Sequence, residues 1–464
     1  MEKQHNGLQQ NLKHRHIQMI SIGGIIGAGL FVGSGNVIHS AGPSAIVAYL
    51  IAGLLVALLM RMLGEMAAEN PVSGSFSTYA KESIGPWAGY TIGWLYWFFW
   101  LITIAIEAIA GANIMNSWFP SIPLWGWALI LTFVLTLTNI LSVKTFGEFE
   151  YWFAITKVVA ISAFMILGLA ILFKLIPTIQ SPGLSNLTQH GGFFPKGISA
   201  ILGGFMTVMF AFFGSEIAAI AAGESKDPQK SVVTAINTVV WRVALFYIGS
   251  VSILVLLMPW DDAKSLSSPY VTLLNNLGIP GAGTIMKVVV LFSVLSCLNS
   301  ALYTNSRMLY SLAQQGSAPR IFTKVNKGGS PYWAVWASSA FAFLAAIFNF
   351  ISPDKLFSFL LNASGSIALL VYIVIAVSHV IKRRQAEKTG KMLRLKMWGF
   401  PYVTYVTILA MIVIYFSMYF MDDLRSQFYL TSLITVLVIS SFFIFKIGKK
   451  EEVDTNSRRT NIPS

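Results

Sequence analysis

The stretch from Ile22 to Gly35 reads IGGIIGAGLFVGSG and lies within the first long apolar run of the chain. Six of these fourteen residues are glycine, and each costs a helix about 1 kcal/mol relative to alanine. If the run begins at Ile17, Gly27 to Gly29 lie roughly 15–18 Å along the helix axis. That depth is the middle of a hydrocarbon core about 30 Å thick. The stretch therefore predicts a membrane helix that breaks halfway across the bilayer.

A second stretch of the same kind, FAFFGSEI, runs from Phe210 to Ile217. In a run starting near Ile198, Phe210 to Gly214 also lie in the membrane interior, at about 18–24 Å along the helix axis. The two breaks lie in the first and sixth predicted spans, an offset of five. Because five is odd, a repeat of that length reverses its direction in the membrane. Paired broken helices in inverted repeats indicate a central transport site. The alternative is close helix packing through Gly-x-x-x-Gly, which Gly23 with Gly27 and Gly29 with Gly33 would fit. The matched depth favours the breaks.

The composition predicts an all-α integral membrane protein. The chain has 464 residues, of which 55% are hydrophobic and 11% charged, with a mean hydropathy of +0.67. Soluble domains carry about a quarter charged residues. Apolar runs long enough to span a membrane recur along the whole chain. They centre near residues 27, 53, 102, 131, 162, 210, 248, 298, 340, 368, 409 and 438, which predicts about twelve spanning helices.

The placement of basic residues predicts the orientation in the membrane. If residues 1–16 form a cytoplasmic tail, roughly 25 Lys and Arg residues fall inside and six outside, a strong positive-inside bias. Both termini are then cytoplasmic, and the expected location of the protein is the plasma membrane.

The net charge of +13 forms no continuous patch for nucleic acid, so no nucleic-acid partner is expected. The first run is too long for a signal peptide. The single cysteine, Cys297, and the six histidines give no metal-site spacing.

Several motifs resemble those of bacterial amino acid permeases in the amino acid–polyamine–organocation superfamily. The resemblance covers nearly the whole chain, in family order. Besides Gly23 to Gly35, it rests on RMLGEM (61–66) with SGSFSTYA (73–80), GWLYWFFW (93–100), FGEFEYW (146–152) and SCLNSALY (296–303). The RMLGEM stretch followed by SGSFSTYA resembles the loop between the second and third helices of the family. Within the family, Ala28, Ser300–Thr304 and Ala363–Tyr372 resemble the γ-aminobutyrate permeases most.

The resemblance implies a leucine-transporter-like fold, with a 5+5 inverted repeat (helices 1–5 and 6–10) and two extra helices. The expected parts are a tail (1–16), a first repeat (17–176), an extracellular loop (177–197), a second repeat (198–381), a basic cytoplasmic loop (382–397), two helices (398–447) and a cytoplasmic tail (448–464).

The resemblance also implies the substrate site. Backbone around Ile25, Ala28 and Gly29 would receive a carboxylate, and carbonyls around Phe210, Ala211 and Phe213 an amine. Phe210 would be the gating aromatic residue, and Ser215 would line the pocket.

Three charged residues fall within otherwise apolar spans, namely Glu107, Lys157 and Glu216. Each costs about 2.5–3.5 kcal/mol to insert and needs a partner or a water-filled cavity. Lys157 either extends to the cytoplasmic headgroups or acts as a proton switch, since burial disfavours its charged form. The resemblance supports the switch, because a lysine of this helix replaces a sodium ion in proton-coupled members. Glu216 either caps the second break or relays protons. Glu107 has no partner assignable from the sequence and a buried hydrogen-bonding role by default.

The resulting functional prediction is a secondary transporter that imports a small zwitterionic amino acid by proton symport and alternating access. γ-Aminobutyrate is the first candidate, and the alternative is a permease or exchanger for neutral α-amino acids such as proline, alanine or serine. A channel would need a continuous polar pore, and an enzyme would need convergent reactive groups. The sequence shows neither. No cofactor or metal is expected beyond the proton gradient. The sequence leaves stoichiometry, oligomeric state and regulation open.

Overall fold

A computed structural model describes the chain over residues 26–70, 75–141, 143–177, 179, 181–217, 232–234, 236–238, 241, 243–262, 268–326, 328–351 and 353–460. Within these ranges every regular element is helical. The α-helices are α1 Ala28–Phe31, α2 Gly33–Ala41, α3 Ala45–Glu69, α4 Ser75–Ser83, α5 Pro86–Trp118, α6 Leu124–Leu141, α7 Val143–Leu172, α8 Ser185–Thr188, α9 Ser199–Phe212, α10 Ser250–Leu257, α11 Pro269–Asn276, α12 Ala282–Gln314, α13 Tyr332–Ile351, α14 Pro353–Lys388, α15 Tyr402–Ser417 and α16 Asp422–Thr460.

Shorter helical turns connect several of these helices. Three are 3₁₀-helices, at Gly42–Ser44, Arg320–Thr323 and Met418–Phe420, and the segment Val243–Gly249 is a π-helix that leads directly into α10.

The helices match the predicted spans. Eight described segments are long and apolar enough to cross a membrane, and the first of them, Ala28–Glu69, contains the second predicted span and the later part of the first. Three shorter apolar helices, Ser199–Phe212, Ala244–Leu257 and Tyr332–Leu344, fall on three further spans. Eleven of the twelve predicted centres lie inside a described helix, and the remaining one, residue 27, lies at a bend. The prediction of an all-α membrane protein with about twelve spans is confirmed.

The centre of the molecule is formed by α5, α9, α12 and α14. Helices α5 and α12 pack along each other, and α9 packs against α2, α3 and α14. A proline in the first turn of α5, Pro86, starts this helix where a backbone N–H has no helical acceptor. By contrast, α15 and α16 expose large apolar side chains such as Val406 and Leu433. An apolar exposed face of this kind suits contact with lipid.

Three predicted boundaries differ from the structure. Helix α14 continues to Lys388, through the first part of the expected basic loop, and α16 continues to Thr460, into the expected tail. The stretch RMLGEM (61–66), matched to a loop by resemblance, is helical and belongs to α3. Hydropathy marks where a helix leaves the lipid rather than where it ends. In α14, the pair Arg383–Glu387 at i,i+4 supports the helix beyond the apolar region.

Candidate functional site

A helix begins at Ala28, inside the stretch predicted to break the first span. Residues Ile26 and Gly27 form a bend, with Gly27 in extended backbone (φ −141°, ψ −151°). The short helix α1 follows and ends at Phe31, and Val32 (φ −115°, ψ −48°) separates it from α2. The predicted break is confirmed on this side, and the preceding half of the span lies outside the described residues.

The second predicted break is also confirmed. Helix α9 ends at Phe212, Phe213 is extended, and residues 213–216 form a turn. Gly214 has a φ of +108°, a region that side-chain-bearing residues rarely adopt. The glycine predicted to interrupt the helix therefore supplies the conformation that ends it. The continuation beyond Ile217 lies outside the described residues up to residue 231.

The two breaks touch each other at Gly29. A Cβ on Gly29 would lie 2.7 Å from Ala211 Cα and 3.2 Å from Phe210 Cδ1. A Cβ on Gly27 would lie 2.6 Å from Glu107 Oε1 and 2.8 Å from Cys297 Sγ. Glycine is therefore required at both positions for the backbone to approach its neighbours this closely.

A narrow cavity lies between the breaks. The residues that line it leave open room for only about one water molecule. Its lining comes from both breaks, from α5 and from α12: Gly27, Gly29, Phe99, Trp100, Thr103, Glu107, Phe210, Ala211, Phe213 and Cys297. The structure therefore represents a closed, nearly filled site.

Aromatic rings close the cavity on the α9 side. The Phe213 ring packs against Phe99, with centroids 3.9 Å apart, and against Tyr372, with centroids 5.0 Å apart. The Phe210 ring lies 6.0 Å from that of Phe99 and abuts Gly29. Phe210 is thus placed where a side-chain rotation would change access to the cavity, consistent with the gating role that stays a prediction.

The backbone amide at the start of α1 is bound by a protein carboxylate. Ala28 N–H donates to both Glu107 Oε1 and Oε2, each at 3.1 Å. Glu107 is buried on α5 and lines the cavity. The partner of Glu107, which could not be assigned from the sequence, is therefore the Ala28 amide. This is the same amide that was expected to receive a substrate carboxylate.

Glu216 closes the second break. Its carboxylate accepts hydrogen bonds from Gly214 N–H at 3.0–3.1 Å, from Tyr96 on α5 at 3.1 Å and from Tyr372 on α14 at 3.3 Å. The side chain is fully buried. These contacts fit the capping alternative, and the relay alternative stays a prediction.

The carbonyls of the second break already have hydrogen-bond partners. Ala211 C=O accepts from the Tyr247 hydroxyl at 3.0 Å, and Phe210 C=O accepts from Phe213 N–H at 3.2 Å. A carbonyl oxygen has two lone pairs, so each can accept a second donor. Ser215 donates to Phe212 C=O at 2.8 Å and is not among the lining residues.

Lys157 is fully buried on α7, with 0% of its surface exposed. The alternative in which it extends to the headgroups is therefore wrong. It interacts electrostatically with Glu150, Cys297 and Glu107. The acidic partners of this lysine are therefore side chains of the protein and not lipid headgroups.

Sequence reasoning placed four residues in the cavity lining, namely Gly29, Phe210, Ala211 and Phe213. Ala28 contributes its amide, and Ile25 lies outside the described residues. The lining residues that it missed on α5 are Phe99, Trp100, Thr103 and Glu107. Phe99, Thr103 and Glu107 are spaced i, i+4, i+8, which places them on one helix face. This spacing, which ends at a buried charge, was the signal in the sequence from which the cavity-lining face of α5 could have been predicted.

The overall fold is shared with a solved membrane transporter. The crystal structure of the Eremococcus coleocola manganese transporter, in complex with an aromatic bis-isothiourea substituted compound, matches with a TM-score of 0.57. The match covers 95% of this chain and 94% of that chain, at 15% sequence identity. The class is therefore that of a multi-pass membrane protein with a transporter fold.

Residues 16–458 match the amino acid permease family, and the chain belongs to that family. The γ-aminobutyric acid permease of Bacillus subtilis is 56% identical, over 97% of both chains. The probable GABA permease of Pseudomonas aeruginosa is 49% identical, over 94% of this chain and 92% of its own. The γ-aminobutyric acid permease of Escherichia coli is 47% identical, over 95% and 94%. The resemblance found from the motifs is confirmed.

Proposed function

We propose that this permease imports γ-aminobutyrate together with a proton, by alternating access around the cavity between the two breaks. Amino acid transport is supported by family membership, and γ-aminobutyrate by three relatives of that name at 47–56% identity. The observation that carries the mechanism is the contact of the two breaks at Gly29, with the cavity between them.

The substrate carboxylate is assigned to the backbone amides that begin α1. Broken helices of transporters offer such N–H groups to anionic substrate groups. In the closed structure Glu107 accepts from Ala28 N–H, so a substrate carboxylate replaces Glu107 at this amide when it binds. The carboxylate site therefore has an internal occupant, which keeps the amide satisfied when no substrate is bound.

The substrate ammonium is assigned to the carbonyls of Phe210, Ala211 and Phe213. An ammonium needs up to three acceptors, and carbonyl oxygens with a remaining lone pair supply them. The carbonyls of Phe210 and Ala211 each hold one donor from the protein, which fixes their direction. Phe210 covers the cavity, and Ser215 supports the end of α9 through Phe212.

Proton coupling is assigned to Lys157, with Glu216 as the second candidate. Lys157 is buried among acidic groups that connect it to the cavity through Glu107. One proton moving through about 100 mV supplies 2.3 kcal/mol. That energy supports an accumulation of roughly 50-fold at one proton per substrate.

The membrane organisation follows the charge distribution. We assign the chain to the plasma membrane, with both termini cytoplasmic and residues 177–197 outside. Residues 17–176 and 198–381 are assigned to two inverted repeats. The partners are the amino acid, protons and the lipid bilayer, and no cofactor takes part.

A second candidate is transport of neutral α-amino acids. The aromatic amino acid transport protein AroP of Corynebacterium glutamicum is 38% identical over 95% of this chain. The probable threonine/serine transporter YbxG of Bacillus subtilis is 37% identical over 96%. One methylene in an apolar pocket changes selectivity by only about 1–3 kcal/mol, so these substrates are the competitors to test.

The experiment uses the purified permease in proteoliposomes. Counterflow of labelled γ-aminobutyrate, with β-alanine, proline, alanine and serine as competitors, measures substrate choice. Stronger inhibition by the α-amino acids than by unlabelled γ-aminobutyrate would overturn the substrate assignment.

Accumulation driven by an inward proton gradient then measures coupling. We expect Lys157→Met to lose accumulation while counterflow continues. Lys287→Met is the control, because it is the same change at a partly exposed lysine of α12. Undiminished accumulation by Lys157→Met would remove this residue from the mechanism.

A further inference from the structure

One face of α7 carries a second buried ionisable residue that the mechanism above does not use. Glu150, Ala154, Lys157 and Ile161 all have 0% exposure, and their spacing of i, i+4, i+7 and i+11 places them on one helix face. Trp152 and Val159, on the other side, are 66% and 61% exposed. Glu150 and Lys157 therefore share the face of α7 that packs on α12.

The Glu150 carboxylate is only partly satisfied. Its Oε1 accepts from the Ser296 hydroxyl at 2.6 Å, whereas its Oε2 has no hydrogen-bond partner among the described residues. Asn299 and Ser300 of α12 lie close to the same carboxylate. A buried carboxylate oxygen without a donor is costly, so this atom is available to receive a proton.

Glu150 is not among the residues that line the cavity. Lys157 faces Glu107 and Cys297, and both of these line the cavity. Glu150 is two turns earlier on α7, about 10 Å nearer to the start of that helix. The three groups thus form a series from the cavity, Glu107 to Lys157 to Glu150.

The start of α7 lies at the end of the molecule assigned to the cytoplasm. The Ser330 hydroxyl donates to Asn139 C=O at 2.7 Å, and Asn326 binds Ile140 C=O at 2.5 Å. These contacts join the end of α6 to the loop after α12. Asn139 also binds Asn299, at 2.7 Å, so a buried polar seam connects the surroundings of Glu150 with that loop.

We propose that Glu150 accepts the coupling proton from Lys157 and passes it toward the cytoplasmic end of α7. The inference rests on the proposed function, because it names the next group after Lys157 on the proton path. Glu150 touches neither substrate nor cavity, and its role is to discharge Lys157.

The transfer balances in charge and in atoms. Because Oε2 has no donor in the described part of the chain, the transfer follows a rotation of the Lys157 side chain or passes through one water molecule. A Lys157 Nζ–H bond breaks and a Glu150 Oε2–H bond forms, so an ammonium and a carboxylate become an amine and a carboxylic acid. The net charge of the pair stays zero, which avoids leaving an uncompensated charge in the interior. The proton then passes from Glu150 to water at the cytoplasmic end. The other groups that face the pair are Glu107 on α5, and Ser296, Cys297, Asn299 and Ser300 on α12.

The competing explanation is a static counter-ion for a buried lysine. A static partner would be needed for folding and for every mode of transport alike. A proton acceptor is needed only where protons move in net amount. Counterflow exchanges substrate without net proton movement, and accumulation requires it, so the two assays separate the explanations.

The test compares Glu150→Gln and Glu150→Asp with wild type in proteoliposomes. Glutamine retains an oxygen that accepts from Ser296 but cannot take up a proton. We expect Glu150→Gln to keep counterflow of labelled γ-aminobutyrate while its proton-driven accumulation ratio falls to about one, the uncoupled value. Glu150→Asp keeps an acid and should recover part of the accumulation. Glu148→Gln, the same change two residues away, is the control and should accumulate as wild type does.

Two outcomes would overturn the inference. One is full accumulation by Glu150→Gln. The other is an equal loss of counterflow and accumulation in a variant that melts at the wild-type temperature, which would establish a static role. If Glu150→Gln does not fold, an equal loss of counterflow and accumulation in a folded Glu150→Asp decides against the relay. Absence of γ-aminobutyrate counterflow in wild type would instead reject the proposed function.

Discussion

Gly29 is the residue at which the two broken spans come closest. Its missing side chain lets the backbone of α1 lie against the backbone of Ala211. The contact involves main-chain atoms on one side and a short side chain on the other, so neither can rotate away. The shape of the cavity therefore depends on the absence of a side chain at this position.

We expect Gly29→Ala to abolish γ-aminobutyrate counterflow and to lower the melting temperature. The added Cβ would lie 2.7 Å from Ala211 Cα, and overpacking of this kind costs about 1–3 kcal/mol. Counterflow in proteoliposomes and thermal unfolding in detergent measure the two effects.

Gly203→Ala is the matched control. Gly203 lies within α9, and its added Cβ would have Met421 Cε at 3.7 Å as its nearest neighbour, an ordinary van der Waals contact. Alanine is the better helix former, so this variant should be as stable as wild type or more stable. Equal losses in both variants would show that the close approach at Gly29 is not the cause.

At the scale of elements, each break is stabilised by a carboxylate from the protein. Glu107 accepts the amide that opens α1, and Glu216 accepts the amide of Gly214 after α9. Helix ends carry unsatisfied amides and carbonyls, and a buried end needs partners. Each interrupted helix therefore needs a buried carboxylate close to its end, and the two features occur together.

We expect Glu216→Gln to destabilise the protein by about 1–3 kcal/mol and to reduce counterflow and accumulation alike. The three groups around this side chain are all donors, and the amide NH₂ of glutamine would leave one of them unpaired. Tyr372→Phe removes the longest of these contacts and should cost less. A variant that loses accumulation alone, with unchanged stability, would instead assign Glu216 to the proton path.

The sequence was sufficient to predict the breaks but not their partners. Glycine content and depth identified Gly27 to Gly29 and Gly214 because conformational cost is local. The link between Glu107 and Ala28, 79 residues apart, depends on how α5 packs against α1. The same holds for Lys157, whose depth in α7 fitted both the headgroups and the interior. Only the packing of α7 on α12 shows that it is buried.

At the scale of the whole molecule, one buried cluster connects distant parts of the chain at the end assigned to the cytoplasm. Glu65 on α3 accepts from Met397 N–H at 2.6 Å and from Arg383 on α14 at 3.2 Å, and His379 Nε2 lies 3.3 Å from Glu65 Oε1. Residue 65 belongs to the first proposed repeat, and residues 379 and 397 lie in the second repeat and the basic loop. A second pair, Lys382–Glu82, joins α14 to α4 nearby.

These two acidic residues differ in burial, which sets their expected contributions. Glu65 is 3% exposed, whereas Glu82 is 45% exposed. Removing one member of a buried pair costs about 3–5 kcal/mol because its partners remain desolvated and unpaired. An exposed pair contributes about 0–1 kcal/mol, since water and salt screen it.

We therefore expect Glu65→Gln to lower the melting temperature in detergent markedly and Glu82→Gln to leave it nearly unchanged. Raising the salt concentration should not narrow this difference, because the contacts of Glu65 are shielded from solvent. Similar shifts for the two variants would mean that the cluster does not hold the proposed repeats together, and that helix packing within the membrane is sufficient.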